Sequence, residues 1–316
     1  MRAAIGTFEE ALKLDPGYAP ARAGVALASA IMRLRFAPTS EHPAWVERAE
    51  REARAALQID PQLAEAHEAL AAVYRAVDFD WNKALEESRL ALALNPNLDQ
   101  PHLYRAQAFY HLGLFDLIEP ELQAAAAGMS PANQTPDNLV ESERIRGVVA
   151  LFSGRFQEAV PLFEGVKRAS KSTTYDYFLG LAYYYTGNAT LAEETLARLP
   201  SNTTSDRRAQ AVLASLLAAR HANAEARALV QSVLGSGYMD HHIAYSLGAA
   251  YAQLGDLSEA KRWLGQAAET GLPCYPWHAR DPLLSPLRSD PEFQRFLSGL
   301  QNSWQMLASR YGATTG

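Results

Sequence analysis

The chain has 316 residues, 48% of them hydrophobic and 20% charged, and a formal net charge of −6, a composition that excludes a disordered protein. A mildly acidic chain without a basic tract lacks the positive surface that binds phosphate backbones, so we expect no nucleic-acid partner. The single cysteine, Cys274, excludes an internal disulfide framework, and the lack of any run of about 18 apolar residues excludes direct membrane insertion.

The first predicted elements along the chain are helices. The apolar residues around Phe8 recur at helical spacing and predict a helix near the start of the chain. A second helix is predicted over Ala19–Met32, and a third ends at Leu57. Between these two lies an extended connector that contains Phe36–Thr39 and Trp45.

A repeat of about 34 residues organises the chain that follows. Small residues recur in register at this step, at Gly147, Gly180, Ala214 and Gly248. The repeat predicts pairs of antiparallel helices, because close helix crossings need small side chains. The turn inside each pair favours a residue that tolerates positive φ, and the candidates are Gly113, Gly154, Gly187 and Gly255. A second extended connector, rich in turn residues, is predicted over Ser130–Asn138.

The last part of the chain predicts a closing helix. Asp290-Pro291 is a good helix start, with an acceptor at the N-cap and a proline in the first turn. An apolar stripe follows at spacings of three or four, formed by Phe293, Phe296, Leu297, Leu300, Trp304, Leu307 and Tyr311. This stripe predicts that the helix caps the last pair.

One unit carries the strongest sign of a known family. Leu247-Gly248-x-x-Tyr251, then Leu254-Gly255-Asp256, then Glu259-Ala260 resembles the tetratricopeptide repeat, W-x2-L-G-x2-Y, then A-x3-F, then P. The family's Trp is absent, and the equivalent positions carry Arg22, His67, His102, Asp176 and Ala244. The resemblance implies an all-α fold, a right-handed α-solenoid of tandem helical hairpins. It implies an array over residues 1–270, and a C-terminal capping segment with helices over residues 271–316.

The array is expected to start in the middle of a repeat, because the residues around Phe8 match the second half of a unit. Ile5, Phe8 and Leu12 would then present an apolar face without a partner helix. We therefore expect this sequence to be a piece of a longer protein. Self-association of two copies through this N-terminal edge stays open as an alternative.

Three blocks of sequence point to a narrower group within this family. They are Phe36–Leu57 followed by Asp60–His67, then Asp78–Ala84, and then Asp281–Gln294. They look like the C-terminal repeat regions of bacterial signalling proteins, where a Ser/Thr kinase, nucleotide cyclase or winged-helix domain precedes the array. The implied function is a protein- or peptide-interaction module, the sensing or scaffolding part of such a protein.

Two other functions stay open at this point. The first is a scaffold for assembling an envelope or secretion complex. The second is an enzyme with a cryptic site in the groove, which ranks last because no residues converge on a chemistry. We therefore expect no enzymatic activity. The expected location is cytoplasmic, with the periplasm as the alternative if a parent protein has an upstream membrane span.

A protein or peptide ligand is expected in the concave groove, which the first helix of each repeat lines in the resembled family. Helical spacing selects the candidates Arg75, Leu103, Gln107, Tyr110, His111, Arg144, Phe152, Tyr177, Tyr184, Tyr185, Tyr245 and Gln253. Tyrosine, arginine and glutamine suit peptide capture, because they combine contact area with hydrogen bonding. The family's carboxylate clamp uses Lys and Asn, whereas the matching places here carry Leu103, Gln107, Arg144 and Val148, which argues against binding of acidic C-termini.

Metal sites are expected to be absent. Asp78-x-Asp80-x-Asn82 begins like a calcium loop, but Lys83 stands where glycine is needed. His241 and His242, weighed together with Cys274 and His278, are expected to point to different helix faces because they are adjacent. We therefore predict neither a metal nor another cofactor.

Overall fold

The computed structural model describes residues 1–37, 39–76, 79–129, 140–170, 173, 176–198 and 204–312. Within these ranges every regular element is a helix, which confirms the predicted all-α fold class. Two units are distinguished: the described residues of Met1–Phe109 and Asp116–Asn133 form unit 1, and those of Tyr110–Phe115 and Gln134–Gly316 form unit 2. The predicted connector Ser130–Asn138 lies outside the described residues.

Unit 1 is built from helices that pack in sequence. They are α1 (Arg2–Leu14), α2 (Ala19–Ile31), α3 (His42–Ile59), α4 (Ala64–Ala76), α5 (Trp81–Leu94), most of α6 (Gln100–Leu112) and α7 (Ile118–Gly128). Helix α2 packs against α3 and also against α4, and α4 packs against α5. The first helix of one pair therefore contacts both its own partner and the first helix of the next pair, as stacked hairpins do.

The N-terminal helix is covered by its neighbour, contrary to expectation. Ile5 is buried in a cluster with Ala28 and Met32. Phe8 lies over Gly24 of α2, where an added Cβ would come within 2.5 Å of the Phe8 ring. The expected apolar face without a partner was therefore wrong at these two positions.

Part of the first predicted connector is helical. A short π-helical stretch, Met32–Phe36, extends α2, and α3 begins at His42, so that Trp45 lies inside it. The Trp45 indole Nε1 donates to Glu41 Oε2 at 3.0 Å. Most of the additional residues are therefore helical, and they lengthen the hairpin.

Unit 2 repeats the same arrangement. Its helices are α8 (Glu141–Phe152), α9 (Phe156–Ala169), α10 (Asp176–Tyr185), α11 (Ala189–Ala197), α12 (Thr204–Ala219), α13 (Asn223–Gly235), α14 (His241–Gln253) and α15 (Leu257–Glu269). The pairs α8–α9, α10–α11, α12–α13 and α14–α15 pack as hairpins, and α10, α12 and α14 contact one another in turn. We call α8, α10, α12 and α14 the first helices of unit 2.

The predicted small residues and turn glycines have the expected roles. An added Cβ would lie 2.6 Å from Leu196 at Gly180 and 2.7 Å from Leu264 at Gly248, so both glycines allow the two helices of a hairpin to approach closely. The four turn glycines named above have φ between 77° and 86°. The predictions are confirmed for Gly180, Gly248 and the four turn glycines.

A C-terminal segment of three helical elements completes unit 2: α16 (Tyr275–Arg280), the 3-10 helix Pro282–Leu287 and α17 (Pro291–Gly312). Asp290 Oδ1 accepts the backbone N–H of Phe293 at 2.9 Å, which confirms the predicted helix start. Phe293 is fully buried, and the Trp304 indole Nε1 donates to the Gly113 carbonyl at 2.9 Å. None of the described helices has both the length and the apolar character needed to cross a membrane.

Candidate functional site

Three of the candidate residues lie in unit 1. Arg75 Nη1 donates to Gln107 Oε1 at 2.6 Å, which links α4 to α6. The Arg75 guanidinium also lies 4.7 Å from the centroid of the Tyr104 ring. Leu103 is buried. These residues form a buried polar and apolar contact between the first helices of two successive hairpins.

Most of the other candidates form an aromatic cluster in unit 2. Tyr110, Phe152, Tyr177 and Tyr245 are all buried. A further ring of the cluster comes from the C-terminal segment: Trp277 of α16 stacks on Phe152 with ring centroids 4.8 Å apart and an interplanar angle of 14°. Trp277 also lies 5.9 Å from Tyr245 and 6.0 Å from Tyr185. Helices α8, α10 and α14 together therefore surround one tryptophan.

A buried carboxylate lies beside this tryptophan. The hydroxyls of Tyr185 and Tyr245 donate to Oδ1 and Oδ2 of Asp281, the latter at 2.7 Å, and the backbone N–H of Leu283 donates to Oδ1 at 2.9 Å. Burial raises the pKa of Asp281, while the two tyrosine hydroxyls act in the opposite direction. Burial and the Asp281 charge raise the pKa values of both tyrosines well above the usual range, so the hydroxyls remain donors.

Backbone carbonyls of the C-terminal segment also accept hydrogen bonds from side chains. Gln253 Nε2 donates to the Leu283 carbonyl at 2.7 Å. Within the segment, Arg288 donates to the carbonyls of His278 and Asp281, both at 3.0 Å. The side of the first helices from which Gln253, Tyr185 and Tyr245 project is therefore in contact with residues of the chain's own C-terminal segment.

The remaining candidates are less closely joined to this contact. Tyr184 is half-buried, with its ring edge-on to Tyr185 at 5.7 Å. Arg144 forms an ion pair with Glu141 in the first turn of α8. Sequence reasoning missed Trp277, Asp281 and Leu283 as partners of the candidate residues. The available signal was the block Asp281–Gln294, which was associated with a family resemblance and not with the groove.

A histidine cluster forms a second constellation in unit 2. His241 and His242 begin α14, His111 lies in the last turn of α6, and all three are buried. The Nε2 atoms of His111 and His242 are 3.4 Å apart, and one ring nitrogen from each of the three histidines lies within 4.8 Å of the other two. The expectation that His241 and His242 point apart was wrong, since their ring centroids are 4.3 Å apart.

Cys274 and His278 do not join this cluster. The Cys274 thiol is buried, and burial raises its pKa to about 12. His278 Nε2 lies 2.9 Å from the Leu272 carbonyl, and burial lowers the pKa of His278 to about 4. A protonated thiol and a neutral imidazole in hydrogen-bond contact with the backbone indicate a structural role for both.

Unit 1 contains a cleft of about 490 Å³ between α1, α2 and α3. Its lining mixes charges of both signs with the apolar side chains of Leu12 and Val25. Arg48 pairs with Glu9, Arg22 with Glu52 at 2.7 Å, and Lys13 with Glu10 at 2.6 Å, so the cleft's charges are neutralised. A cleft of this kind has no strong preference for a charged ligand.

Comparison with known proteins agrees with this architecture. Residues 241–270 match the family model described as tetratricopeptide repeat. The chain is similar to human IFIT1, in a structure described as the IFIT1 dimer with PPP-AAAA, at 17% identity over 84% of this chain and 67% of that chain, with a TM-score of 0.55. It is also similar to Pseudomonas aeruginosa pilF, at 18% identity over 78% of this chain and 99% of that chain, with a TM-score of 0.47.

No curated protein matches the chain in sequence. The family model matches 30 residues of the chain, and the structural likeness to IFIT1, at 17% identity, shows the fold alone.

Proposed function

We propose that this chain binds a peptide segment of a partner protein against the first helices of unit 2. The observation that supports the proposal is that residues of the chain's own C-terminal segment already lie against these helices. Trp277 is inserted among aromatic rings, Asp281 accepts from two tyrosine hydroxyls, and the Leu283 carbonyl accepts from Gln253. An aromatic anchor, a paired carboxylate and a bound carbonyl are the features by which grooves hold peptides.

The contacts of the internal segment indicate the chemistry of the ligand. Trp277 and Asp281 are four residues apart at the end of a helical turn, so both project towards α14 and α10. A competing peptide would carry an aromatic side chain followed four residues later by a carboxylate. It would displace α16 and the 3-10 helix, and its affinity would therefore be lowered by the stability of the internal contact.

The candidate residues of unit 1 belong to the same proposal. Arg75, Leu103 and Gln107 lie on first helices, like the residues that hold the C-terminal segment in unit 2. The wider context that we propose is the sensing or scaffolding part of a bacterial signalling protein in the cytoplasm. The blocks Asp60–His67 and Asp281–Gln294 support this context by their resemblance to such proteins.

The proposed role is binding and not catalysis. The most deeply buried carboxylate of the aromatic cluster, Asp281, is held by two hydroxyls and a backbone N–H. A general acid or base would have to contact a substrate, whereas the Asp281 oxygens are already bound to groups of the protein. Asp281 therefore has a structural role.

The proposal is tested with a fluorescent synthetic peptide of residues 273–289, carrying Cys274→Ser, added to the full chain. Asp281→Asn in the chain weakens the internal contact but leaves Tyr185, Tyr245 and Gln253 in place. Fluorescence anisotropy should show at least about tenfold tighter peptide binding to this variant than to the native chain, since loss of one charge-assisted hydrogen bond is worth about 1.5–3 kcal/mol.

The controls are a peptide with Trp277→Ala and a chain with Arg295→Ala, which changes an exposed residue of α17. The Trp277→Ala peptide should not bind, and Arg295→Ala should leave the affinity at the native value. Equal binding of both peptides, or no binding to a correctly folded Asp281→Asn chain, would rule out the first helices of unit 2 as the ligand site. A displayed peptide library selected on the Asp281→Asn chain would then identify the ligand sequence.

A further inference from the structure

We propose that His111, His241 and His242 form a binding site for one divalent transition-metal ion, with Zn²⁺ as the expected occupant. The three side chains come from the end of α6 and the start of α14, at positions separated by as many as 131 residues. The proposal does not rest on peptide binding. The hydrogen bonds to Asp281 and to the Leu283 carbonyl, on which the peptide site is built, come from other side chains and the backbone.

The spacing of the nitrogen atoms fits a shared metal ion. Two nitrogens that are each about 2.0–2.1 Å from a tetrahedral zinc ion lie about 3.4 Å apart. The Nε2 atoms of His111 and His242 have this separation, 3.4 Å. The whole set lies within 4.8 Å, so a displacement of up to about 1.4 Å would bring the third nitrogen to coordination distance.

The ring orientations are set by neighbouring aromatic side chains. Tyr110 stacks on His111 with ring centroids 4.0 Å apart, and Phe178 lies edge-on to His242 at 5.5 Å. The His111 ring lies 5.0 Å from the His241 ring at 84° and 5.4 Å from the His242 ring at 48°. The three imidazoles are therefore inclined to one another and do not form a stack, and the packing around them restricts their rotation.

The protonation state of the cluster suits a metal ligand. Burial lowers the pKa of His241 to about 3 and holds the pKa of His242 well below its usual range. Burial therefore favours the neutral form of these two imidazoles, the form in which a ring nitrogen can bind a metal ion.

The nearest charges form a neutral pair. Arg208 Nε donates to Asp240 Oδ2 at 2.8 Å, and Asp240 Oδ1 accepts the N–H of Ile243 at the start of α14. The Asp240 carboxylate lies next to His241 and favours positive charge there, which offsets the repulsion that Arg208 exerts on the cluster. A cation in the cluster is therefore placed beside a carboxylate and not beside an isolated guanidinium.

The donor set selects the class of metal. Three imidazole nitrogens without a carboxylate oxygen suit zinc, copper or nickel and do not suit calcium or magnesium. With three protein ligands, a fourth position would be filled by water. Such an ion would connect Tyr110–Phe115 to α14 and stabilise unit 2.

The test uses the untagged full chain, stripped of metal with a chelator and then titrated with zinc sulfate by calorimetry. The expected result is about one zinc ion per chain and a higher melting temperature in the presence of zinc. His111→Phe and His242→Phe keep a ring of similar shape. Each should weaken zinc binding by at least about 100-fold, because loss of an outer-shell partner alone typically costs 10- to 100-fold.

His67→Gln is the matched control, because His67 lies on α4 outside the cluster and contacts Glu87. This variant should bind zinc like the native chain. Failure of the stripped native chain to bind zinc, or native-like binding by a folded His111→Phe chain, would overturn the proposal.

Cobalt(II) bound to the native chain provides a measurement that needs no variant. Four-coordinate cobalt with nitrogen and oxygen ligands absorbs strongly in the visible range and lacks the near-ultraviolet band of a thiolate ligand. A weak spectrum typical of six-coordinate cobalt would place the ion at the surface, and a thiolate band would make Cys274 a ligand. Either result would contradict a site made of these three histidines.

Discussion

The hydroxyl of Tyr245 donates a 2.7 Å hydrogen bond to Oδ2 of Asp281, 36 positions further along the chain. The bond joins α14 to the C-terminal segment that contains α16, the 3-10 helix Pro282–Leu287 and α17. Asp281 is 1% exposed, so its carboxylate depends on this hydroxyl, on Tyr185 and on the Leu283 N–H for the hydrogen bonds that water would otherwise supply.

Tyr245→Phe should lower the free energy of unfolding by about 1–3 kcal/mol. The substitution keeps the ring beside Trp277 but leaves one carboxylate oxygen of Asp281 without its donor. Urea unfolding followed by circular dichroism measures the change. Tyr275→Phe, in the same segment but outside this network, should change the stability by less than about 0.5 kcal/mol. Equal losses in the two variants would show that the hydroxyl of Tyr245 contributes nothing specific.

Glu68 should make unit 1 less stable as the pH rises. Burial, followed by the charges of Asp99 and Glu65, raises the pKa of Glu68 to about 7. Because the folded-state pKa lies above the unfolded value of 4.5, the stabilising contribution is complete below about pH 4.5 and is lost as the pH rises through 7. Relative to Glu68→Gln, the native chain should lose up to about 3 kcal/mol between pH 4.5 and 8.

The measurement is the free energy of unfolding in urea at intervals across this pH range. Glu225→Gln, at an exposed position on α13, is the control and should follow the native curve. Parallel curves for the native chain and Glu68→Gln would mean that Glu68 does not titrate abnormally.

His278 should have the opposite pH dependence. Its pKa is lowered by burial to about 4, so its contribution to stability is present above the unfolded value of 6.5 and is lost as the pH falls through 4. Between pH 7 and 4 the native chain should therefore lose up to about 3 kcal/mol relative to His278→Gln. Acid titration of the two proteins by urea unfolding measures this difference, with His221→Gln at an exposed site as the control. A stability difference that does not change with pH would contradict burial of a neutral His278.

Gly180→Ala should destabilise unit 2 by about 1–3 kcal/mol, because the added Cβ would lie 2.6 Å from the Leu196 side chain. Gly165→Ala, on α9 where the nearest atom would be 3.9 Å away, should instead stabilise the chain by about 0.5–1 kcal/mol through helix propensity. Thermal unfolding compares the two. The clash is verified if Gly180→Ala costs less in a Leu196→Ala background than in the native one. An equal cost in both backgrounds would point to another cause.

Local signals in the sequence predicted much of the fold. Gly113, Gly154, Gly187 and Gly255 were each predicted to tolerate positive φ from their place in the repeat, and Asp290 was predicted to start the last helix. These predictions succeeded because the relevant atoms lie within a few residues of one another, so that spacing alone places them on a turn or a helix end.

The contacts between distant elements could not be predicted in this way. The period places Tyr185 and Tyr245 on first helices, but it does not say that Asp281, 96 and 36 positions away, lies against both. Likewise, His111 is 131 positions from His242. Such contacts depend on the small rotation that accumulates from repeat to repeat, and on the path of the segment after the last repeat, and neither follows from helical spacing.

The hydrogen bond from Trp304 to the Gly113 carbonyl closes a loop of 191 residues. In a simple repeat array each unit contacts only its neighbours, so folding can start anywhere and unfolding can proceed from the ends. Here the turn at Gly113 reaches its final surroundings only after α17 has docked, which raises the contact order of unit 2. On a ribosome, the hairpins between these two points would form before α17 has been synthesised. Unit 2 should accordingly fold slowly for a helical protein and unfold in a single cooperative step.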